Sequence, residues 1–567
     1  MARANVNTYQ DGDIREYMGR RLSTLLTERT EHEPLWREIK DFILPRAGRF
    51  DDINGTSQRM PNYDAILNST ATKAIGVFVA FIMSGMSSPA RPWFKLTPEE
   101  VGYEPPPEEM AWMDKFRDTM LDLFAQSNFY HALPRVYEEG AAFGNGCMYI
   151  SDDLRDVVRF YHYSVGEFYW GLSDRLEVDT IYRAYTMKVS AVVKKWGIEN
   201  CSDMVKRHWE AKQLNQDINI VHCIEPNADS LPKELRPLDK NKEFISVYYE
   251  QNSRESMNKV LSVSGFRSFP AMPFRLNPSS DDAYGVGIGA DALGDIRELQ
   301  HKELELAKAL DYINEPHLKS GGGIGQLFRH PGAVTQVNPH NAEALEPVYQ
   351  VNFPTGDIRA EIDQLENRIN EWFYNHLASN VLTETRSNVT AREIDASEAE
   401  KLLLAAPVLE SVQIFLSKII DRVFEIMINA GVGEMPPDSL SGRKLNVEFL
   451  GVLAQAQKAV GVKAIERSWG FAGYQAELTQ SLEPFDNLNA DEALKDFTRM
   501  VGLPTDQWAT PEERDAKREA RNQQQQQAEM LARGESMAGT AQTMAETPMD
   551  EGSALKAALD VVGSPIG

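Results

Sequence analysis

The chain has 567 residues, 42% of them hydrophobic and 25% charged, enough to bury a sizeable core and too ordinary a mixture for a disordered or collagen-like protein. Acidic residues outnumber basic ones 84 to 59, a formal net charge of −25, which argues against a protein that grips DNA tightly, because such proteins displace counterions with Lys and Arg patches. The same charge suits a wall past which a polyanion slides without sticking, and it equally serves plain solubility.

Met1 to Asp13 is polar and has no signal-peptide core, so synthesis and assembly in a cytosol are expected. Ile14, Met18, Leu22, Leu25 and Leu26 recur at helical spacing, and Pro34 to Leu44 continues the helical pattern until Pro45. Arg46 to Pro61 reads as loop. Asn68 to Met86 is a strongly apolar helix; its core, Ala74 to Met83, is far short of the ~20 residues that span a bilayer, and no membrane segment is expected. Helices follow at Glu108 to Gln126 and Phe129 to Phe143.

The period then changes. Met148 to Ser151, Val157 to Tyr163, Glu167 to Trp170, Glu177 to Met187, Ile218 to Ile224, Phe244 to Glu250 and Val260 to Phe266 are short, β-branched and aromatic, and read as strands. One helix interrupts them, Ala191 to Trp196, with Ser190 as N-cap and Gly197 just past its end. From Gly289 the chain is helical again, to Ile313. Lys319 to Pro354 is irregular and rich in Gly and Pro. In Asp357 to Leu377 the residues Ile358, Ile362, Leu365, Ile369 and Trp372 step by four, three, four and three, the seam of a helix lying along other helices. The seam alone leaves open whether it packs within one subunit or between subunits. A polar break, Ser379 to Asn388, precedes a long helical stretch, Thr390 to Ala430, in which Pro407 should make a kink. Ala454 to Ile465 and Asn489 to Met500 read as further helices. Beyond Thr510 a Gln run and a small-residue tail are expected to be flexible. The fold class is therefore α+β, predominantly helical, with sheet clustered in the middle third.

Enzymatic signatures are missing. There is no GxxxxGK[ST], no HExxH and no GxSxG, and the ten histidines show no metal-ligand spacing. Cys147, Cys201 and Cys223 stand far apart and read as free thiols rather than a disulfide or zinc framework. Gly285-Val286-Gly287-Ile288-Gly289 precedes a helix, but loop residues rather than a strand lead into it, so it reads as a hinge and not as a dinucleotide site. The acidic pairs Asp51-Asp52, Asp152-Asp153 and Asp281-Asp282 fall at turns. No cofactor, metal or catalytic residue is expected.

Several segments together resemble the portal, or head-to-tail connector, proteins of short-tailed bacteriophages, over roughly Arg15 to Gly502. They are Leu35-Trp36-Arg37-Glu38-Ile39 with Leu44-Pro45; Pro92-Trp93-Phe94-Lys95-Leu96; Glu167-Phe168-Tyr169-Trp170 followed by Val178 to Arg183; Tyr284-Gly285-Val286-Gly287; Thr390-Ala391-Arg392-Glu393, where Arg stands in place of the second Thr of a Thr-Ala-Thr-Glu motif; and Phe449 to Gln457. The resemblance implies a portal-type fold with a wing (1–283), a first stem helix (284–313), a clip (314–356), a second stem helix (357–377), a tunnel loop (378–389), a long kinked helix (390–431), a helical crown (432–510) and a tail (511–567).

It also implies a ring, commonly of twelve subunits, at one capsid vertex. Double-stranded DNA would pass through the ring, and major capsid, scaffolding, terminase and tail adaptor proteins would be its partners. The protein would be assembled in the host cytoplasm and retained in the virion. Thr383, Glu384, Thr385, Arg386, Ser387 and Asn388 would meet DNA from the tunnel loop, and Lys319, Arg329 and His330 would meet partners at the clip. Another ring-shaped virion adaptor, or a nucleotide-dependent enzyme built on Gly285 to Gly289, is the alternative.

Overall fold

The computed structural model describes residues 11–50, 63–100, 105–227, 242–251, 260–314, 318–320, 345–347, 355–377, 405–440, 443–450 and 468–476, with short pieces beyond, including a helix at 514–521. The chain divides into two compact units, Met1–Phe471 and Ala472–Gly567. The helices expected at Ala454 to Ile465 and in much of Asn489 to Met500 lie outside the described residues.

The first unit is an α+β body, its strand pairs all antiparallel among the described residues. Helices α1 (Asp11–Thr30), α2 (Glu33–Phe42) and α3 (Thr70–Met86) precede strand β1 (Phe94–Pro98); α4 (Pro107–Gln126) and α5 (Phe129–Phe143) follow. The sheet region holds β2 (Asn145–Asp153), β3 (Val157–Tyr163), β4 (Phe168–Leu172), β5 (Val178–Lys188), helices α6 (Val189–Trp196) and α7 (Asp203–Glu210), then β6 (Asp217–Pro226), β7 (Phe244–Glu250), β8 (Ser262–Phe266) and β9 (Ala271–Arg275). Next come α8 (Ile288–Asp291), α9 (Leu293–Asn314), β10 (Leu318–Ser320), β11 (Leu345–Pro347), α10 (Thr355–Trp372), α11 (Ala406–Ala430) and β12 (Leu445–Phe449).

Strands β4 to β8 form an antiparallel meander in chain order, as tight connections dictate, with α6 and α7 inserted between β5 and β6. Two helices interrupt the strands rather than one. Ser190 lies inside the first turn of α6, whose N-cap is Lys188, and Ser202 is the hydroxyl that caps, accepting from the Val205 amide of α7. Helix α1 lays Ile14, Met18, Leu22 and Leu25 on Tyr169, Tyr182, Val221 and Val247 of this sheet. A second sheet, ordered β3-β2-β9, packs on α5 and on α11, where Phe415 meets Phe274 and Tyr137.

Several of the segments that carry the resemblance are packing partners; Thr390 to Glu393 and residues 451–457 lie outside the described residues. Trp36 sits edge-on to Tyr284, ring centres 5.1 Å apart, and the Tyr284 hydroxyl accepts from the Trp170 amide at 3.1 Å. Trp93 and Phe94 on β1 pair with β12, Phe94 opposite Phe449, although more than three hundred residues separate them. Glu167 grips Arg183 across the β4–β5 hairpin at 2.9 Å, and the guanidinium lies over the Tyr163 and Tyr185 rings.

The glycine run is a close-packing device. A Cβ on Gly285 would stand 2.1 Å from the Leu276 carbonyl oxygen, and one on Gly287 would stand 2.3 Å from the Gly144 nitrogen. Asn145 locks this contact, its side-chain oxygen accepting from the Gly285 amide and its amide group donating to the Gly285 carbonyl. Backbone thus fills the space beside these glycines, which explains them without a nucleotide. Asp282 closes a turn, its amide bonding the Ser279 carbonyl, whereas Asp152 and Asp153 lie on the end of β2, paired with Val158 and Val157, where the Asp153 carboxylate accepts from the Arg155 amide of the hairpin turn; Asp51 and Asp52 lie outside the described residues. All three cysteines are buried free thiols.

Candidate channel hairpin

Residues 315–354 separate α9 from α10 in sequence, yet the two helices lie side by side. Lys302 meets Glu361 at 3.0 Å, Arg368 meets Asp295 at 3.3 Å, and the Trp372 indole donates to Asp295 at 3.0 Å. Early residues of one helix therefore face late residues of the other, and the pair is antiparallel. At 1.5 Å per residue each rod is roughly 30 Å long. These exposed ion pairs set register more than they add stability; the Glu361 carboxylate raises the Lys302 pKa above its ordinary value.

Stability comes from the apolar side. Ile362, Leu365 and Ile369 are buried and join Phe373, Leu377, Ile296 and Leu299 in the main core. These three seam positions thus pack within their own subunit. Ile358 is half-buried against the core and Trp372 is 44% exposed, so the ends of the seam turn outward. Burial also fades along α9: Leu310, Tyr312 and Ile313 are exposed, and the hairpin extends beyond the core at that end.

A polar knot that sequence periodicity missed ties the hairpin to the start of α3. Buried Gln300 accepts from the Leu67 and Asn68 amides at 2.7 and 2.9 Å and donates to the Asn68 carbonyl at 2.8 Å. The Asn68 side chain donates to Glu303 and to Glu366, one carboxylate from each rod, while its oxygen caps the Thr70 amide. The signal was present: Gln300 occupies a helical position that spacing from Leu293 and Ile296 marks as core, where an amide needs partners.

The hairpin is acidic. Helix α9 carries five acidic and three basic residues, and α10 five and two. Such a surface repels phosphate rather than holding it.

Of the remaining expected positions, Lys319 lies on β10, which pairs antiparallel with β11 as a two-stranded ribbon. Arg329, His330 and the loop residues Thr383 to Asn388 lie outside the described residues. Helix α11 begins at Ala406, so Pro407 falls in its first turn, where a missing N–H is tolerated. The kink expected there would join α11 to a stretch outside the described residues. Among the described residues no cluster of three or more His, Cys, Asp or Glu could hold a metal ion, and no helix is long and apolar enough to cross a membrane.

Helix α11 is anchored beside the second sheet by Arg422. Its guanidinium is buried, donates to Ser268 at 2.7 Å and Glu425 at 3.1 Å, and reaches Asp152 at 3.3 Å. Asp152, near the end of β2, thus helps to anchor α11.

Comparison with known proteins gives one consistent result. A family model described as bacteriophage head to tail connecting protein matches residues 15–508. The chain is similar to the "Portal protein" of Salmonella phage epsilon15, 32% identical over 562 residues that cover 97% of this chain and 99% of that protein. It is also similar to the "Probable portal protein" of Bordetella phage BPP-1, 33% identical over 518 residues covering 90% and 92%.

Proposed function

The chain belongs to the bacteriophage head-to-tail connecting protein family, and on that premise we propose how its parts build a portal. Its function is that of a ring at one capsid vertex through which DNA is packaged and ejected, and to which packaging motor and tail attach; it is structural and not enzymatic. The observation that carries the assignment of parts is the antiparallel α9–α10 hairpin, cemented to the core by Ile362, Leu365 and Ile369.

In this reading α9 and α10 are the stem, and their acidic outer faces line a channel that lets a polyanion slide. Residues 1–283 form the wing and 314–356 the clip. Lys319, Arg329 and His330 meet terminase first and a tail adaptor later. Residues 378–389 form the tunnel loop, where Thr383, Glu384, Thr385, Arg386, Ser387 and Asn388, polar and of mixed charge, brush phosphates without locking onto them. Capsid and scaffolding proteins contact the wing during assembly in the host cytoplasm. Twelve such chains would carry about −300 in total, so ring closure needs counterions or intersubunit ion pairs and responds to ionic strength.

Electron cryomicroscopy of the purified protein tests this. The expected image is a closed ring with a central hole wide enough for duplex DNA and walled by α9 and α10. A protein that stays monomeric at every salt concentration, or a ring whose hole is lined by other elements, would overturn it.

A further inference from the structure

Between Lys188 and Gln216 the charge balance of the chain reverses. Lys188, Lys194, Lys195, Lys206, Arg207 and Lys212 stand against Glu199, Asp203 and Glu210, in a protein of net charge −25. The stretch forms α6 and α7 in the β5–β6 connection. It has its own apolar cluster: Val189, Val192, Cys201 and Val205 close on Ile218, Ile220 and Leu261. The buried Glu250 carboxylate holds the Ser202 amide at 2.9 Å, which fixes the start of α7.

Two of the cations are answered locally, Lys188 by Asp217 at 2.9 Å and Lys206 by Asp203 at 3.6 Å. Lys194, Lys195 and Lys212 are exposed and meet no carboxylate among the described residues. Lys195 lies over the Trp196 and Tyr248 rings, 4.6 and 4.5 Å from their centres. Trp209 and Leu214 are 38% and 39% exposed in the same stretch. An exposed indole is of the residue type enriched at protein interfaces, whose rims are polar.

The next step rests on the portal reading. A ring of identical chains closes through two different faces, each meeting its opposite on the next copy. If both faces shared the chain's overall sign, like charges would be set against each other. With this basic stretch set aside, this chain is more acidic than its total, so a neighbouring copy is an acidic partner. We infer that the α6–α7 surface docks on an acidic face of the adjacent copy, with Trp209 and Leu214 as apolar contacts and Lys194, Lys195 and Lys212 setting register and salt response. Duplex DNA is the competing polyanion.

The test uses rings assembled from a mixture of 14N- and 15N-labelled full-length protein, joined by a zero-length carbodiimide cross-linker. Hybrid 14N–15N peptides containing Lys194, Lys195 or Lys212 are expected. Rings in which these lysines join only carboxylates of their own chain, or none, would overturn the inference and leave the portal reading standing. The triple variant Lys194→Glu, Lys195→Glu, Lys212→Glu should melt like the unmodified protein yet lose about tenfold or more of its ring fraction. If it assembles normally but loses binding to a fluorescent duplex, the partner is DNA and the inference fails. If unmodified protein forms no ring at any salt concentration, the inference falls together with the reading beneath it.

Discussion

Gln300 and Asn68 hold each other reciprocally. The Gln300 oxygen takes the Asn68 amide while its NH2 group donates to the Asn68 carbonyl, so a rod helix and the entry to α3 share one closed polar contact. Gln300→Leu keeps the volume and strands two amides and a carbonyl, each costing about 1–3 kcal/mol when left without a partner. Urea unfolding should show a loss of at least about 2 kcal/mol, with Glu303→Gln nearer neutral because that carboxylate makes one contact here. Unchanged stability in Gln300→Leu would mean water replaces the side chain and the knot is not structural.

The glycine contact makes a sharper prediction. Gly285→Ala drives a methyl into the Leu276 backbone, which has no side chain that can step aside. A loss of about 3 kcal/mol, or failure to fold, is expected. Gly356→Ala, in the first turn of α10 with open space around it, should be neutral or gain up to about 1 kcal/mol. Thermal melts of the two variants side by side check this contrast.

Removing the two carboxylates around Arg422 should have unequal effects. Asp152 is 71% exposed, so its pair is worth at most about 1 kcal/mol and Asp152→Asn should be mild. Glu425 is more enclosed and also takes the Ser268 hydroxyl; Glu425→Gln weakens the pairing of a buried guanidinium and should cost on the order of 3 kcal/mol. Equal losses would contradict this asymmetry.

His162, on β3, gives the sheet region a pH response. Burial disfavours its charged form, but the Glu139 carboxylate 3.5 Å away outweighs this and raises its pKa above the ordinary value. A group whose folded pKa is raised contributes stability fully below its unfolded pKa, near 6.5, and loses it as pH climbs through the folded value. The stability difference between the unmodified protein and His162→Gln should therefore shrink as pH rises from about 5.5 to 8.5. Urea titrations across that range measure it, and a constant or widening gap would refute the assignment.

Local pattern alone determined most of the elements, because helix and strand periods are properties of neighbouring residues. Phe129 to Phe143 is helical over its predicted span, the Val157 to Tyr163 strand is where alternation placed it, and Ile362, Leu365 and Ile369 were legible as one buried stripe. Which surface covers a stripe is decided by residues far away in the chain. Only the tertiary structure therefore paired Phe94 with Phe449, brought Glu303 and Glu366 to one Asn68, turned Trp372 outward, and set Gly285 against Leu276. Helix α7 escaped notice for a related reason: eight residues with one buried side chain leave too short a period to read, and its place depends on the Glu250 carboxylate from a distant strand.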